Sequence, residues 1–157
     1  MTTEPRAATH YLTIQDILWI NHEVTNEVLP YKFSQLEEAT FGQYAYGGTH
    51  HVIDQAATFL TGFSRLRPFS SGNRGTALIG VLSFLALNGY RVVLDPTQAA
   101  DWYERAAGRT ADARGAILGA VAEGEPTPRD VRPAIRTIVR DMLKAYADAV
   151  IGLVDVP

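Results

Sequence analysis

The chain has 157 residues, of which 46% are hydrophobic and 20% charged, with a formal net charge of −3 and a pI of 5.8. That balance excludes a disordered chain, and it argues against a dedicated nucleic-acid binder, which would carry a basic patch and a high pI. No cysteine is present, so disulfides, thiolate metal sites and thiol nucleophiles are excluded as well. The size fits one compact core, and we read a flexible tail over residues 1–9 followed by a single helical domain over 10–157. The N-terminus, MTTEPRAATHY, has no apolar signal core, and the longest apolar run, Thr76 to Leu87, is too short for the roughly 20 residues a membrane span needs. A cytoplasmic protein without a membrane or nucleic-acid partner is expected.

Helix signals recur along the chain, and strand-like alternation is almost absent. Thr13 and Asp16 have the spacing of a capping box, after which Ile14, Ile17, Leu18, Val24 and Val28 mark one face of a helix stopping near Pro30. Ser34 and Glu37 predict a second capping box and a short helix through Ala39. The stretch TFGQYAYGGTHH, rich in aromatics and glycine, reads as a loop or small hairpin. Val52, Ile53, Ala56, Phe59, Leu60 and Phe63 then restart a helical stripe. From about Arg74 to Asn88 the helix has no polar face, which places it at the centre of a bundle, with Gly89 as its left-handed cap. YRVVL is the one strand-like segment. Asp95 and Pro96 open a helix ending near Gly108, TADARGAILGAVAEGEP predicts another, and Thr127, Pro128 and Asp130 announce a last one carrying Val131, Ile135, Ile138, Val139, Leu143, Tyr146 and Val150. The predicted fold is an all-α bundle around a buried central helix, with a small flap or hairpin.

Before that central helix lies SRLRPFSSGNRGT, residues 64–76. A helix start carries unpaired N–H groups and about half a positive charge, so it attracts anions. Gly72 and Gly75 would let a ligand approach the backbone, Ser70, Ser71, Asn73 and Thr76 offer hydrogen bonds, and Arg67 and Arg74 offer charge. The spacing is not that of a P-loop. A tight connection between two helices, with its arginines solvated or paired to acidic neighbours and Phe69 as a core plug, would use the same residues.

The run Arg67, Pro68, Phe69, Ser70, Ser71, Gly72, Asn73, Arg74, Gly75 resembles the signature of the Fic/Doc family, more closely on its Doc (death-on-curing) side. That signature is histidine, proline, phenylalanine, a variable and an acidic residue, a small residue, asparagine, then lysine or glycine and arginine. The following TALIGVLSFLALNGY is similar to the Doc continuation, and weaker likeness extends over roughly residues 10–145, with TFGQYAY where the family has its target-aligning flap. The resemblance implies a Fic/Doc-type bundle, and a nucleotide such as ATP whose AMP or phosphate is passed to a protein hydroxyl.

The match fails where the chemistry would be done. Arg67 stands at the position of the histidine base, and a guanidinium cannot accept a proton. Ser71 stands at the acidic position that holds magnesium in the family, so no metal ligand set is expected. Gly75 falls at the arginine position, with Arg74 as a displaced cation, while Pro68, Phe69, Gly72 and Asn73 remain. No catalytic residue is assigned. The expectation is a chain that keeps an anion or nucleotide-phosphate loop made by Arg67, Ser70, Ser71, Gly72, Asn73, Arg74, Gly75 and Thr76, and serves as a binding or regulatory module related to toxin–antitoxin pairs. The alternative is an active transferase, phosphorylating or AMPylating a protein hydroxyl, that uses a displaced base. His50 and His51 are the candidates for that base, His10 and His22 read as solvent-facing or capping residues, and Asp54 or Glu104 could lend a carboxylate. The resemblance also implies a protein partner or antitoxin at the flap Phe41 to Gly48, and the closing AYADAVIGLVDVP leaves an apolar edge for a partner or a homodimer.

Overall fold

The structure, a computed structural model, describes residues 9–44, 51–125 and 133–154. Among these residues are eight α-helices: α1 Ile14–Thr25, α2 Phe33–Phe41, α3 Val52–Leu66, α4 Asn73–Leu87, α5 Ala99–Ala106, α6 Thr110–Ala120, α7 Ile135–Ala145 and α8 Ala147–Gly152. The strand-like YRVVL supplies β1, Arg91–Val92, which pairs antiparallel with β2, Val121–Ala122, where the sequence predicts helix. The protein is an all-α bundle, and α4 is its axis. Thirteen of the 15 residues of α4 are buried, against α1, α3, α7, α8 and β1. Its last turn closes in a Schellman motif: Gly89 adopts φ 89°, its N–H donates to Ala86 O and the Tyr90 N–H donates to Leu85 O, both at 3.1 Å. The Asn88 carboxamide grips the backbone of His10, accepting its N–H at 2.7 Å and donating to its carbonyl at 3.0 Å, so His10 is half-buried and pinned rather than part of a solvent-facing tail.

The predicted capping box at Thr13 and Asp16 forms, with both reciprocal bonds present. α1 then stops at Asn26, which takes the left-handed conformation at φ 60°, well before Pro30. Val28 is therefore 90% exposed instead of continuing the apolar face, and Ile20 and Asn21 are buried on it. The second predicted box, Ser34 with Glu37, does not form. Residues 30–32 run antiparallel to 68–70, with Lys32 N–H on Pro68 O at 2.9 Å and Ser70 N–H on Pro30 O at 3.1 Å, and this bridge delivers the chain into α2 at Phe33. Ser34 already lies inside the helix, where it cannot cap. α2 runs on to Phe41, followed by a 3-10 turn at Gly42–Tyr44. The rest of the predicted flap, up to Gly48, lies outside the described residues, as do His50, Thr127, Pro128, Asp130 and Val131. The single last helix predicted after them is broken at Tyr146 into α7 and α8.

Two packing details carry testable consequences. Gly72, at φ 77°, has no room for a side chain, because a Cβ would run into Thr25 Cγ2 and come within 3.1 Å of Asn21 Nδ2. Gly72→Ala combines a left-handed penalty of about 1–2 kcal/mol with overpacking of about 1–3 kcal/mol. Urea unfolding should show a loss of about 2–5 kcal/mol, whereas Gly115→Ala in α6, where a Cβ meets nothing within 4 Å, should gain about 0.5–1 kcal/mol.

Tyr146 is buried and donates its hydroxyl to Leu94 O at 2.7 Å. Burial, and then the Asp95 charge, raise its pKa above the ordinary tyrosine value. The folded state therefore favours the protonated phenol: this stabilisation is fully present below about pH 10 and is lost as pH rises through the raised value. Thermal melts between pH 8 and pH 12 should show wild type losing stability more steeply than Tyr146→Phe at the alkaline end.

Candidate functional site

The residues before α4 form a loop that begins at the end of α3. Arg67 caps α3 in the left-handed conformation, φ 46° and ψ 64°, with its N–H on Phe63 O at 3.1 Å. Pro68 and Phe69 follow into the interior, where the Phe69 ring packs near Phe63 and Tyr31. Asn73 then closes the loop with both ends of its carboxamide: Oδ1 accepts the Phe69 N–H at 2.9 Å and Nδ2 donates to Phe69 O at 2.8 Å. From the other side Asn21 of α1 donates to Ser71 O at 3.1 Å and to Thr76 Oγ1 at 3.2 Å. The backbone of residues 67–76 is therefore held by packing and internal hydrogen bonds on both flanks.

The eight residues expected to make one anion loop are divided by this arrangement. Arg67, Asn73 and Arg74 line a cavity of about 680 Å³ between α3, α4 and α5. Ser71, Gly72 and Gly75 line a separate cavity of about 210 Å³ on the α1 and α8 side. The two glycines answer to packing: a Cβ on Gly75 would lie 2.9 Å from Val24 Cγ1 and 3.4 Å from Val150 Cγ1. Thr76 is fully buried against Asn21, and Ser70 is exposed with its N–H on Pro30. The Asn73 carboxamide has both ends on Phe69, so its role here is to shape the loop. Of the eight residues, the fold thus brings Arg67, Asn73 and Arg74 to the large cavity and parts Ser71, Gly72 and Gly75 from them.

That cavity has other walls. The polar side of α3 contributes Thr58, Thr61, Ser64 and Arg65, and α5 contributes Tyr103 and Glu104. Among the described residues, three arginines, Arg65, Arg67 and Arg74, and one carboxylate, Glu104, thus line the cavity in a chain whose net charge is −3, and Arg65 also borders a neighbouring cleft beside Glu37 and Glu38. Glu104 forms an ion pair with Arg74, and the side chains are 56% and 37% exposed. The Nε of Arg74 is buried without a hydrogen-bond partner. Ser64 Oγ and the Tyr103 hydroxyl meet at 2.5 Å across the floor.

Comparison with known proteins yields no matching family model, curated protein or solved structure. What the cavity does must follow from its own side chains.

Of the candidate bases, His51 caps the start of α3, its Nδ1 accepting the Ile53 N–H at 3.3 Å. With about 1.5 Å of rise per residue, the length of α3 puts it more than about 20 Å from Arg67, so it cannot serve this loop. His22 is exposed, with Nδ1 3.1 Å from Glu27 O. Asp54 is paired with Arg114 of α6 at 2.7 Å, and Glu104 is the carboxylate that the fold brings to the cavity. Among the described residues no three His, Cys, Asp or Glu side chains converge as metal ligands would. The threonines of α3 were missed in the sequence, although Thr58, Thr61 and Arg65 recur at helical spacing on the face opposite the apolar stripe.

A left-handed arginine costs roughly 1–2 kcal/mol of backbone strain that glycine avoids. Arg67→Gly should raise the unfolding free energy by about 0.5–1 kcal/mol, allowing for glycine's greater unfolded entropy. If urea titration instead shows a loss, the guanidinium contributes to the fold itself.

Proposed function

We propose that the protein is a Fic/Doc-like chain that binds a small phosphate-bearing ligand in the α3–α4–α5 cavity and does not carry out the family's transfer reaction. The observation supporting this reading is that Arg65, Arg67 and Arg74 line one cavity with, among the described residues, a single carboxylate, Glu104. Guanidiniums bind phosphate by short, charge-assisted and often bidentate hydrogen bonds, and they keep their charge at every physiological pH. The start of α4, beside Arg74, adds a positive dipole end. Transfer to a protein hydroxyl would also need a group to take the hydroxyl proton. Arg67 cannot do so, and Glu104 is engaged by Arg74. The role is that of a binding or regulatory module.

Calorimetric titration with inorganic phosphate, pyrophosphate and ATP, with and without magnesium, tests the reading. Binding should be independent of magnesium, and Arg74→Ala should weaken it about 10–100-fold, the value of a hydrogen bond to a charged group. Glu104→Gln should tighten it by up to about 5-fold, because an exposed ion pair of about 0.2–1 kcal/mol no longer competes for Arg74. Transfer of radiolabel from ATP to a protein, or affinity that requires magnesium, would overturn the reading in favour of a transferase.

A further inference from the structure

The hydrogen-bonding character of the cavity changes from one side to the other. At the loop side Arg65, Arg67 and Arg74 offer donors only. Along α3 the hydroxyls are committed the other way. Thr58 Oγ1 donates its proton to Asp54 O at 3.1 Å, and Thr61 Oγ1 donates to Ala57 O at 2.9 Å. Each hydroxyl has one proton and two lone pairs, so with the proton committed to the helix backbone these lining residues can offer a ligand only acceptors. Thr61 Oγ1 also lies 3.4 Å from the Thr110 hydroxyl, which leaves it capacity for one further donor. The Glu104 carboxylate is an acceptor as well. A phosphate, itself a multiple acceptor, gains nothing from this wall. The ligand that satisfies both sides carries an anion at one end and several O–H donors at the other.

Among the described residues the cavity lining also offers no flat apolar slot for an aromatic ring. Its lining beyond the arginines is Asn73, Glu104, threonine, serine, glycine and alanine, together with Tyr103, which is 2% exposed and has its hydroxyl on Ser64. A nucleobase would have only guanidinium faces to stack on, and the phosphate already calls on those. Hydroxyl-rich walls of this size suit a sugar or other polyol better.

We infer that the ligand is a phosphorylated polyol of the sugar-phosphate class, with its phosphate on Arg65, Arg67 and Arg74 and its hydroxyls along Thr58 and Thr61. This rests on the phosphate-binding reading above and adds what the remainder of the ligand is. Arg74 is half-buried at the junction of the two sides, and its ion pair with Glu104 places an acceptor where a hydroxyl next to the phosphate would lie.

Calorimetry on the full chain should compare ribose 5-phosphate and glucose 6-phosphate with inorganic phosphate and ADP. A sugar phosphate is expected to bind at least about 10-fold more tightly than inorganic phosphate, since each satisfied hydroxyl is worth roughly 2–10-fold. The double variant Thr58→Val, Thr61→Val should remove most of that advantage and leave inorganic phosphate unchanged. Thr58→Ser with Thr61→Ser keeps both hydroxyls and should retain the advantage, which separates lost hydrogen bonding from a disturbed α3. Equal affinity for sugar phosphates and inorganic phosphate, or ADP binding more tightly than either sugar phosphate, overturns the inference but leaves phosphate binding standing. If none of the four ligands binds, both readings fail together.

Discussion

The organisation of the site depends on one side chain, Asn73, whose carboxamide closes on the N–H and the carbonyl of Phe69. The bond pair fixes a reversal of direction between α3 and α4 in which Phe69 is driven inward and Arg67 and Arg74 are left on the same side of the loop. Both partners are buried, so neither end of the carboxamide has water as an alternative, and breaking one leaves a polar group unsatisfied at a cost of about 1–3 kcal/mol. The Pro30–Lys32 segment extends the constraint, since its bridge to residues 68–70 holds the loop and the entry to α2 in one register. Asn21 does the same from α1. Two segments distant in sequence therefore join Asn73 in holding ten residues, and the arginines are presented by a backbone that has little freedom to move.

The same clamps explain why glycine was misleading in the sequence. Glycine before a helix is expected where a ligand approaches the backbone, and at Gly72 and Gly75 the approaching body is the protein itself, the side chains of Thr25, Val24 and Val150. From the sequence, close approach was legible but its partner was not, because the two glycines cannot show which face of the loop turns to solvent. Thr76 illustrates the same limit: a hydroxyl in the first turn of a helix serves a ligand or a neighbouring helix equally well, and Asn21 supplies the second.

What could be read was whatever depends on local periodicity or on short-range caps. The apolar stripe of α3, the all-round burial of α4, the Thr13 box and the left-handed Gly89 all follow from residues within a turn or two of one another. What could not be read depended on long-range contact. The Ser34 box fails because a bridge 38 residues away in sequence, Tyr31 to Phe69, sets where α2 begins. Tyr146 divides the last helix while its hydroxyl bonds to Leu94. Glu104 reaches the site because α5, packed on α6 and α8, meets α3 and α4 across the cavity, and nothing in its own neighbourhood marks it.

Arg74 breaks a local rule, and the breach fits the proposed use of the cavity. A cation in the first turn of a helix sits beside the positive end of the dipole, an arrangement unfavourable by about 0.3–1 kcal/mol. Arg65 has no such conflict, since it lies in the last turn of α3, where cations are favoured. Glu104 compensates Arg74 with a negative charge, but from a partly exposed position where screening limits its worth. A bound phosphate would compensate more completely, because it faces the dipole end and the neighbouring guanidiniums together. Residues that violate local preference without an internal gain are expected where a protein meets a ligand, and at the start of α4 the partner that would resolve the conflict is an anion.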